Sequence, residues 1–224
     1  MLGAIVFDFD GVIANSEPLH FKAYRELLRE EGLELTEADY YRRYLGYDDV
    51  GAFEAMGVDR GVKWSAPQIG ALVERKAHRL EALERDGSLL FPGAEAAIRS
   101  AARQIPIAIA SGALGSEIRR VLDSAGLTRH FTAIVAAEDT PASKPAPDPY
   151  LRAVALLSSA HGPLTPADCV AVEDSRWGLE SARAAGLRTV GVAQTYDASE
   201  LGPADLIIAS MQAFDLAALQ EFFA

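Results

Sequence analysis

Two carboxylates two residues apart, in Asp8-Phe9-Asp10-Gly11, end the apolar run Ala4-Ile5-Val6-Phe7. In an extended segment residues i and i+2 project to the same side. Both acids can therefore face one site at a strand's C-terminal edge, where open α/β sheets hold their ligands. A polar strand end with a turn glycine would read the same way. A second acidic pair, Glu173-Asp174, follows the run Cys169-Val170-Ala171-Val172. Adjacent carboxylates repel unless a cation neutralises them, and Mg²⁺ takes one or two carboxylates together with water and phosphate oxygens. The plainer reading is a pair of solvated charges, with Asp174 or Ser175 capping the next helix.

Two further groups suit an anion. Ser111-Gly112 ends the run 105–110 just ahead of a helical pattern, so a hydroxyl and backbone N–H groups could cradle a phosphate there. Lys144, in Ser143-Lys144-Pro145-Ala146-Pro147, is held in an extended loop by the flanking prolines. Either feature alone is commonplace, since Ser-Gly turns abound and a loop lysine is usually just solvated.

The elements that must position these residues are legible as periodicity. The short apolar runs 4–7, 105–110, 133–136, 169–172 and 189–192 predict strands buried on both faces, the pattern of a parallel sheet covered by helices. Helical patterns at 94–103, 115–125, 148–159 and 175–185 lie between them, with Gly126 and Gly186 placed as C-terminal caps. Pro106 fits only near the beginning of its strand. This alternation predicts a doubly wound, Rossmann-like α/β sheet. It is interrupted once. From 16 to 87 no strand is legible; Leu19, Ala23, Leu27 and Leu28 recur at helical spacing, Gly32 closes that helix, and helices near 37–44, 48–56 and 66–86 follow. The expected organisation is a core domain of residues 1–15 and 88–224, with a helical domain, 16–87, inserted after the first strand. Asp86-Gly87-Ser88 and Phe91-Pro92-Gly93 supply turn chemistry for the return.

Composition narrows the function classes. With 224 residues, half of them hydrophobic and about a quarter charged, the chain suits one core plus a small insertion. No apolar run approaches the roughly 20 residues of a membrane span, and no export signal precedes the first strand, so the cytoplasm is the expected location. Cys169 is the only cysteine; it can form no internal disulfide and is expected to be a small buried hydrophobe. The net charge of −11 is the wrong sign for a nucleic-acid partner. It would also repel a phosphorylated substrate, so a phosphate site here needs local positive charge from a metal, a lysine or a helix N-terminus.

Asp-x-Asp, then Ser, then Lys, then Glu-Asp, each at or near the end of an expected core strand, make a combination that chance does not readily produce. With DFDGVIANSEPLH, IASG, SKPAPDPY and VEDSRWGLESARAAGLRTVGV in this order and spacing, the chain resembles the haloacid dehalogenase (HAD) superfamily over essentially its whole length. The resemblance lies within the group that includes β-phosphoglucomutase and phosphoglycolate phosphatase. It implies that Asp8 is the nucleophile that attacks phosphorus. Asp10 would protonate the leaving oxygen and then activate water. Ser111, with Gly112, and Lys144 would hold the phosphoryl oxygens. Mg²⁺ is the implied cofactor, bound by Asp8, Asp174 and a backbone carbonyl at Phe9 or Asp10, with Asp10 and Glu173 in the same acidic set. A carboxylate cannot readily approach a phosphate dianion unless such cations offset the repulsion. A dehalogenase would need neither Asp10 nor the Mg²⁺ carboxylates.

Under the same resemblance, residues 16–87 form a mobile cap that closes over the site and reads the part of the substrate remote from the phosphate. His20 falls where β-phosphoglucomutase has a histidine close to the acid/base aspartate, and Lys76 lies near a cap lysine of that enzyme. Packing or a helix surface is the alternative for His20. For Lys76 it is a largely solvated helix, among Glu74, Arg75, Arg79 and Glu81. In the segment Leu45-Gly46-Tyr47-Asp48-Asp49, where the mutases place basic residues that grip a second phosphate, acids oppose that grip. Gly46 and Tyr47 are accordingly substrate-side candidates, while Trp64 and Trp177 are expected to be buried packing. The expected activity is hydrolysis of a small sugar, polyol or hydroxy-acid phosphomonoester through an aspartyl-phosphate. A β-phosphoglucomutase-like isomerase is the rival. A catalytically silent binding protein is disfavoured, because every catalytic motif position is filled. The expected partner is a small phosphorylated metabolite, with neither nucleic acid nor membrane involved, and nothing demands more than a monomer.

Overall fold

The structure, a computed structural model, describes residues 2–45, 47, 49–84 and 89–224. In chain order, β1 (Ala4–Phe7) leads into the helices α1 (Glu17–Glu30), α2 (Glu37–Arg43), α3 (Asp49–Asp59), α4 (Ala66–Glu84) and α5 (Ala94–Ala102). Then come β2 (Ile107–Ala110), α6 (Gly115–Ser124), β3 (Ala133–Val135), α7 (Asp148–His161), β4 (Cys169–Glu173), α8 (Arg176–Ala184), β5 (Arg188–Val192), β6 (Leu206–Ile208) and α9 (Leu216–Phe222). The chain divides into two compact units, Met1–Asn15 with Leu89–Ala224, and Ser16–Ser88.

In the first unit the strands form one parallel sheet in the order β3-β2-β1-β4-β5-β6. The α/β fold is thus the doubly wound one expected. Alternation of side chains sorts the strand residues onto two faces. Ile5, Phe7, Ile107, Ile109, Val170 and Val172 enter one apolar cluster, and Ala4, Val6, Ala108, Ala110 and Ala171 enter the other with Tyr150 and Leu157 of α7. The small residues of the second face let α7 lie close to the sheet, which brings Tyr150 beneath the strand ends. β1 lies between β2 and β4, where the chain reverses its direction of travel across the sheet, and such a switch point opens a crevice at the strands' C-terminal ends. Pro106 immediately precedes β2, where its missing N–H costs no ladder bond, and its carbonyl accepts from Ile5 N–H at 3.2 Å. The segments leading out of and back into this unit are tied together by an antiparallel bridge between Ala14 and Leu90 and by Asn15 N–H donating to the Leu89 carbonyl at 2.6 Å.

β6 and α9 were not legible in the sequence. β6 is three residues long at the sheet edge and partly exposed, so its apolar run is too short to stand out.

The second unit is helical, as expected. Its core gathers Phe21, Tyr24, Leu27 and Leu28 from α1, Tyr40 from α2, Phe53 and Met56 from α3, and Ile69 and Leu72 from α4. Thr36 caps α2 by accepting from Asp39 N–H at 3.1 Å. Gly46, Asp48 and the turn Asp86-Gly87-Ser88 lie outside the described residues. No helix of the described residues is long and apolar enough to cross a membrane.

Candidate active site

β1 and β4 run side by side, and Asp8 N–H donates to the Val172 carbonyl at 2.9 Å, so the acids that follow the two strands are delivered to one place. Asp8, Glu173 and Asp174 are all buried, and each offers an oxygen within 4.8 Å of the others. Asp10 is not one of this trio, although its charge acts on Asp8.

Lys144 reaches into the cluster from the loop before α7. Its Nζ lies 2.8 Å from Asp8 Oδ1 and 2.6 Å from Glu173 Oε1. The loop is anchored where buried Ser181 of α8 donates to the Ala146 carbonyl at 2.5 Å. Tyr150, in the first turn of α7, donates its hydroxyl to the same Glu173 oxygen at 2.6 Å, and the Lys144 ammonium sits 5.1 Å from the centroid of its ring. Glu173 is fully buried, and Gly178 makes that possible: a Cβ there would meet its carboxylate at 2.0 Å. Glu173 therefore holds Lys144 in place in addition to sitting beside the metal-type acids. A lone buried carboxylate would be far costlier.

Asp174 has its own restraints. A side-chain hydrogen bond from Thr195 reaches it. The neighbouring Gln194 donates Nε2 to the carbonyls of Gly11 at 2.8 Å and Val12 at 3.1 Å, and accepts from Met211 N–H at 3.1 Å. The turn after Asp10 is thereby pinned to the end of β5. On the other side of β1, Ser111 ends β2, with its N–H on the Val135 carbonyl at 2.9 Å. Its buried Oγ accepts from Ala113 N–H at 3.0 Å, which leaves its own proton to donate, and Gly112 beside it is exposed.

The electrostatics show a shortage of positive charge. Burial, and then Glu173, push the Asp8 carboxyl up to about 7 against the lowering pull of Lys144, with Asp10 adding to the rise. Burial, then Asp8 and Glu173, hold the Asp174 carboxyl well above the usual carboxylate range. The Lys144 ammonium, which burial alone would destabilise, is held above its ordinary value by Asp8 and Glu173. Three buried carboxylates share one lysine. An oxygen-only donor set with surplus negative charge fits a hard divalent cation such as Mg²⁺.

Several expected residues have surroundings of their own. Lys76, for which a largely solvated helix is the alternative to a cap role, is only 2 % exposed and ion-paired to Asp49 at 2.7 Å, because α4 turns it toward α1 and α3. His20 Nδ1 lies 3.0 Å from the same ammonium. Tyr47 is exposed. Trp64 packs against the helical core, edge to Phe53, whereas Trp177, expected to be buried, is 52 % exposed at the start of α8. Cys169 is buried as expected, and burial pushes its thiol up to about 11. Tyr150, Gln194 and Thr195 were missed by sequence reading. Tyr150 stands at the end of the SKPAPDPY motif, so its place beside Lys144 carried a signal; Gln194 and Thr195 lie just past an expected strand and carried none.

Comparison with known proteins agrees with this arrangement. The family model for haloacid dehalogenase-like hydrolases matches residues 5–192. The chain is 36 % identical to protein CbbY of Rhodobacter capsulatus, over 84 % of each chain. It is 30 % identical to the fructose-1-phosphate phosphatase YqaB of Escherichia coli, over 84 % of this chain and 95 % of that one. Among solved structures, CbbY from Rhodobacter sphaeroides in complex with xylulose-1,5-bisphosphate superposes with a TM-score of 0.84 at 27 % identity, covering 98 % of this chain and 99 % of the other.

Proposed function

Because this chain belongs to the haloacid dehalogenase-like hydrolases, we propose that it hydrolyses the phosphomonoester of a small sugar, polyol or hydroxy acid through an aspartyl-phosphate on Asp8. The observation that carries the reading is the placement of Asp8: a carboxylate at the C-terminal end of a central strand, 2.8 Å from the Lys144 ammonium and grouped with two more buried acids.

In this mechanism an Asp8 oxygen attacks phosphorus and the ester P–O bond breaks. Asp10 gives its proton to the departing oxygen. Asp10, now a base, takes a proton from water, which attacks the phosphorus of the acyl phosphate and returns Asp8 with release of phosphate. Lys144 and Ser111 hold phosphoryl oxygens, and the ammonium offsets the approach of a carboxylate to a dianion. Asp8 and Asp174, with a backbone carbonyl from the turn at Phe9–Asp10, would hold Mg²⁺. The metal supplies charge neutralisation at the phosphoryl oxygens. Glu173 and Tyr150 keep the lysine oriented, and residues 16–87 act as the cap that reads the rest of the substrate. The partner is accordingly a small phosphorylated metabolite, handled in the cytoplasm by a monomer.

The test is phosphate release from a panel of phosphorylated sugars and polyols, with Mg²⁺ and with excess chelator. Metal-dependent release from at least one ester is expected. No release from any ester, or release unaffected by chelator, would overturn the mechanism.

A further inference from the structure

The turn that carries Asp10 is held from the far end of the sequence by one neutral side chain. Within the turn, Gly11 N–H donates to the Ala14 carbonyl at 3.0 Å, and the Ile13 and Ala14 N–H groups both donate to the Phe9 carbonyl at 2.8 Å. The carbonyls of Gly11 and Val12 take no part in those bonds. Gln194, 183 residues on from Gly11, meets both of them with Nε2, at 2.8 Å and 3.1 Å. Since β4 lies between β1 and β5 in the sheet, Gln194 links the ends of two strands that are not neighbours.

An amide side chain offers two N–H donors and one carbonyl acceptor, and here each end has its match. Two backbone carbonyls can only accept, so the NH₂ group faces them. Met211 N–H can only donate, so Oε1 faces it, at 3.1 Å. Both anchors of this strut are themselves fixed. Met211 is buried, and Gly93 packs so closely against it that a Cβ on the glycine would lie 2.6 Å from the Met211 carbonyl carbon. Next to Gln194, Ala193 N–H donates to the Ile208 carbonyl at 2.9 Å, which ties the segment to β6.

A general acid must stand within about 2.6–3.2 Å of the oxygen that it protonates, and misplacement by about 1 Å can cost roughly a hundredfold in rate. Asp10 immediately precedes Gly11, so the aim of its carboxyl follows the position of the turn. We propose that Gln194 is a positioning residue for Asp10: by donating to two successive carbonyls it fixes the turn that aims the acid/base carboxyl. The inference rests on the phosphatase reading above, in which Asp10 protonates the leaving oxygen.

The experiment compares single-turnover rates on 4-nitrophenyl phosphate, whose leaving group needs no proton, and on fructose 1-phosphate, whose leaving oxygen does, in the wild-type chain, Asp10→Asn and Gln194→Met. Gln194→Met keeps the length of the side chain and removes its hydrogen bonds. It should lower the fructose 1-phosphate rate about tenfold and the aryl ester rate by less than about twofold, a part of the roughly hundredfold or more that a general acid supplies. Asp10→Asn should show the same selectivity in larger measure. Equal losses on both esters in Gln194→Met, beside a selective loss in Asp10→Asn, would mark a merely structural role and overturn the proposal. Equal losses in both variants would instead overturn the acid role of Asp10, and the inference with it. Gln194→Glu retains an acceptor for Met211 N–H but no donor for the two carbonyls; it should reproduce the selectivity, and it serves as the test if Gln194→Met fails to fold. If the wild type cleaves neither ester, hydrogen exchange reads the strut without turnover. The Gly11, Ile13 and Ala14 N–H groups should then exchange about tenfold faster in Gln194→Met, while those of β1 and β4 keep their protection. Unchanged exchange in the turn would overturn the proposal.

Discussion

Gly11 and Asp174 approach so closely that a Cβ on the glycine would lie 1.8 Å from Asp174 Oδ2. Gly11 also has φ +76°, in the left-handed region, so a side chain there would be strained and would displace the carboxylate. Gly11→Ala is expected to displace Asp174 and lower activity at least about a hundredfold through the phosphate site's geometry. It should also lose about 1–2 kcal/mol of stability from backbone strain. Steady-state kinetics together with urea unfolding check both parts; near-normal activity would show that Asp174 can shift freely.

Asp8→Asn retains the shape of the side chain and removes the proposed nucleophile, so turnover should fall below detection while the chain stays folded. The carboxyl it replaces is raised to about 7 by burial and by Glu173, so its loss should not lower the metal-free melting temperature. Thermal melts and phosphate release measure the two effects independently.

Asp10→Asn should discriminate between leaving groups. An aryl phosphate leaves without needing a proton, so the first step should suffer much less than with an alkyl phosphate. Single-turnover rates with the two ester types make the comparison, and equal losses would argue against the acid role.

Mg²⁺ binding only to the folded chain should raise the melting temperature with increasing metal concentration. Asp174→Ala removes one of the carboxylates proposed to hold the metal and should shift that dependence to higher Mg²⁺. A metal response identical in the two chains would exclude Asp174 as a ligand.

His20 gives a pH signature. Its folded value of about 3 lies below the unfolded 6.5, so between those limits the unfolded chain binds more protons. The native state is favoured above pH 6.5 and loses that advantage as pH falls, by up to about 2 kcal/mol between pH 7 and 5. The groups facing the ring are Lys76 and Asp49. Urea unfolding against pH should show this slope in the wild type and a flatter one in His20→Gln.

The fold and the roll of reactive side chains were largely legible from sequence, because both depend on local pattern. Buried parallel strands appear as short apolar runs, helices as a 3.6-residue period; the acids and Ser111 stand at or just beyond strand ends where the sheet must place them, and Lys144 stands in the loop before α7. What each side chain touches was decided only by tertiary structure. Glu173 meets Lys144 and Tyr150 across 29 and 23 residues, and Lys76 meets Asp49 across 27 and His20 across 56. No periodicity encodes such pairings. Lys76 shows the physical reason: surrounded by charges in sequence it reads as solvated, yet the rotation of one helix buries it, and a partner on another helix makes the burial tolerable. Trp177 shows the converse, an apolar residue left exposed in the first turn of α8. Local chemistry names the candidates; the packing of distant segments sets their burial, their charge and their partners.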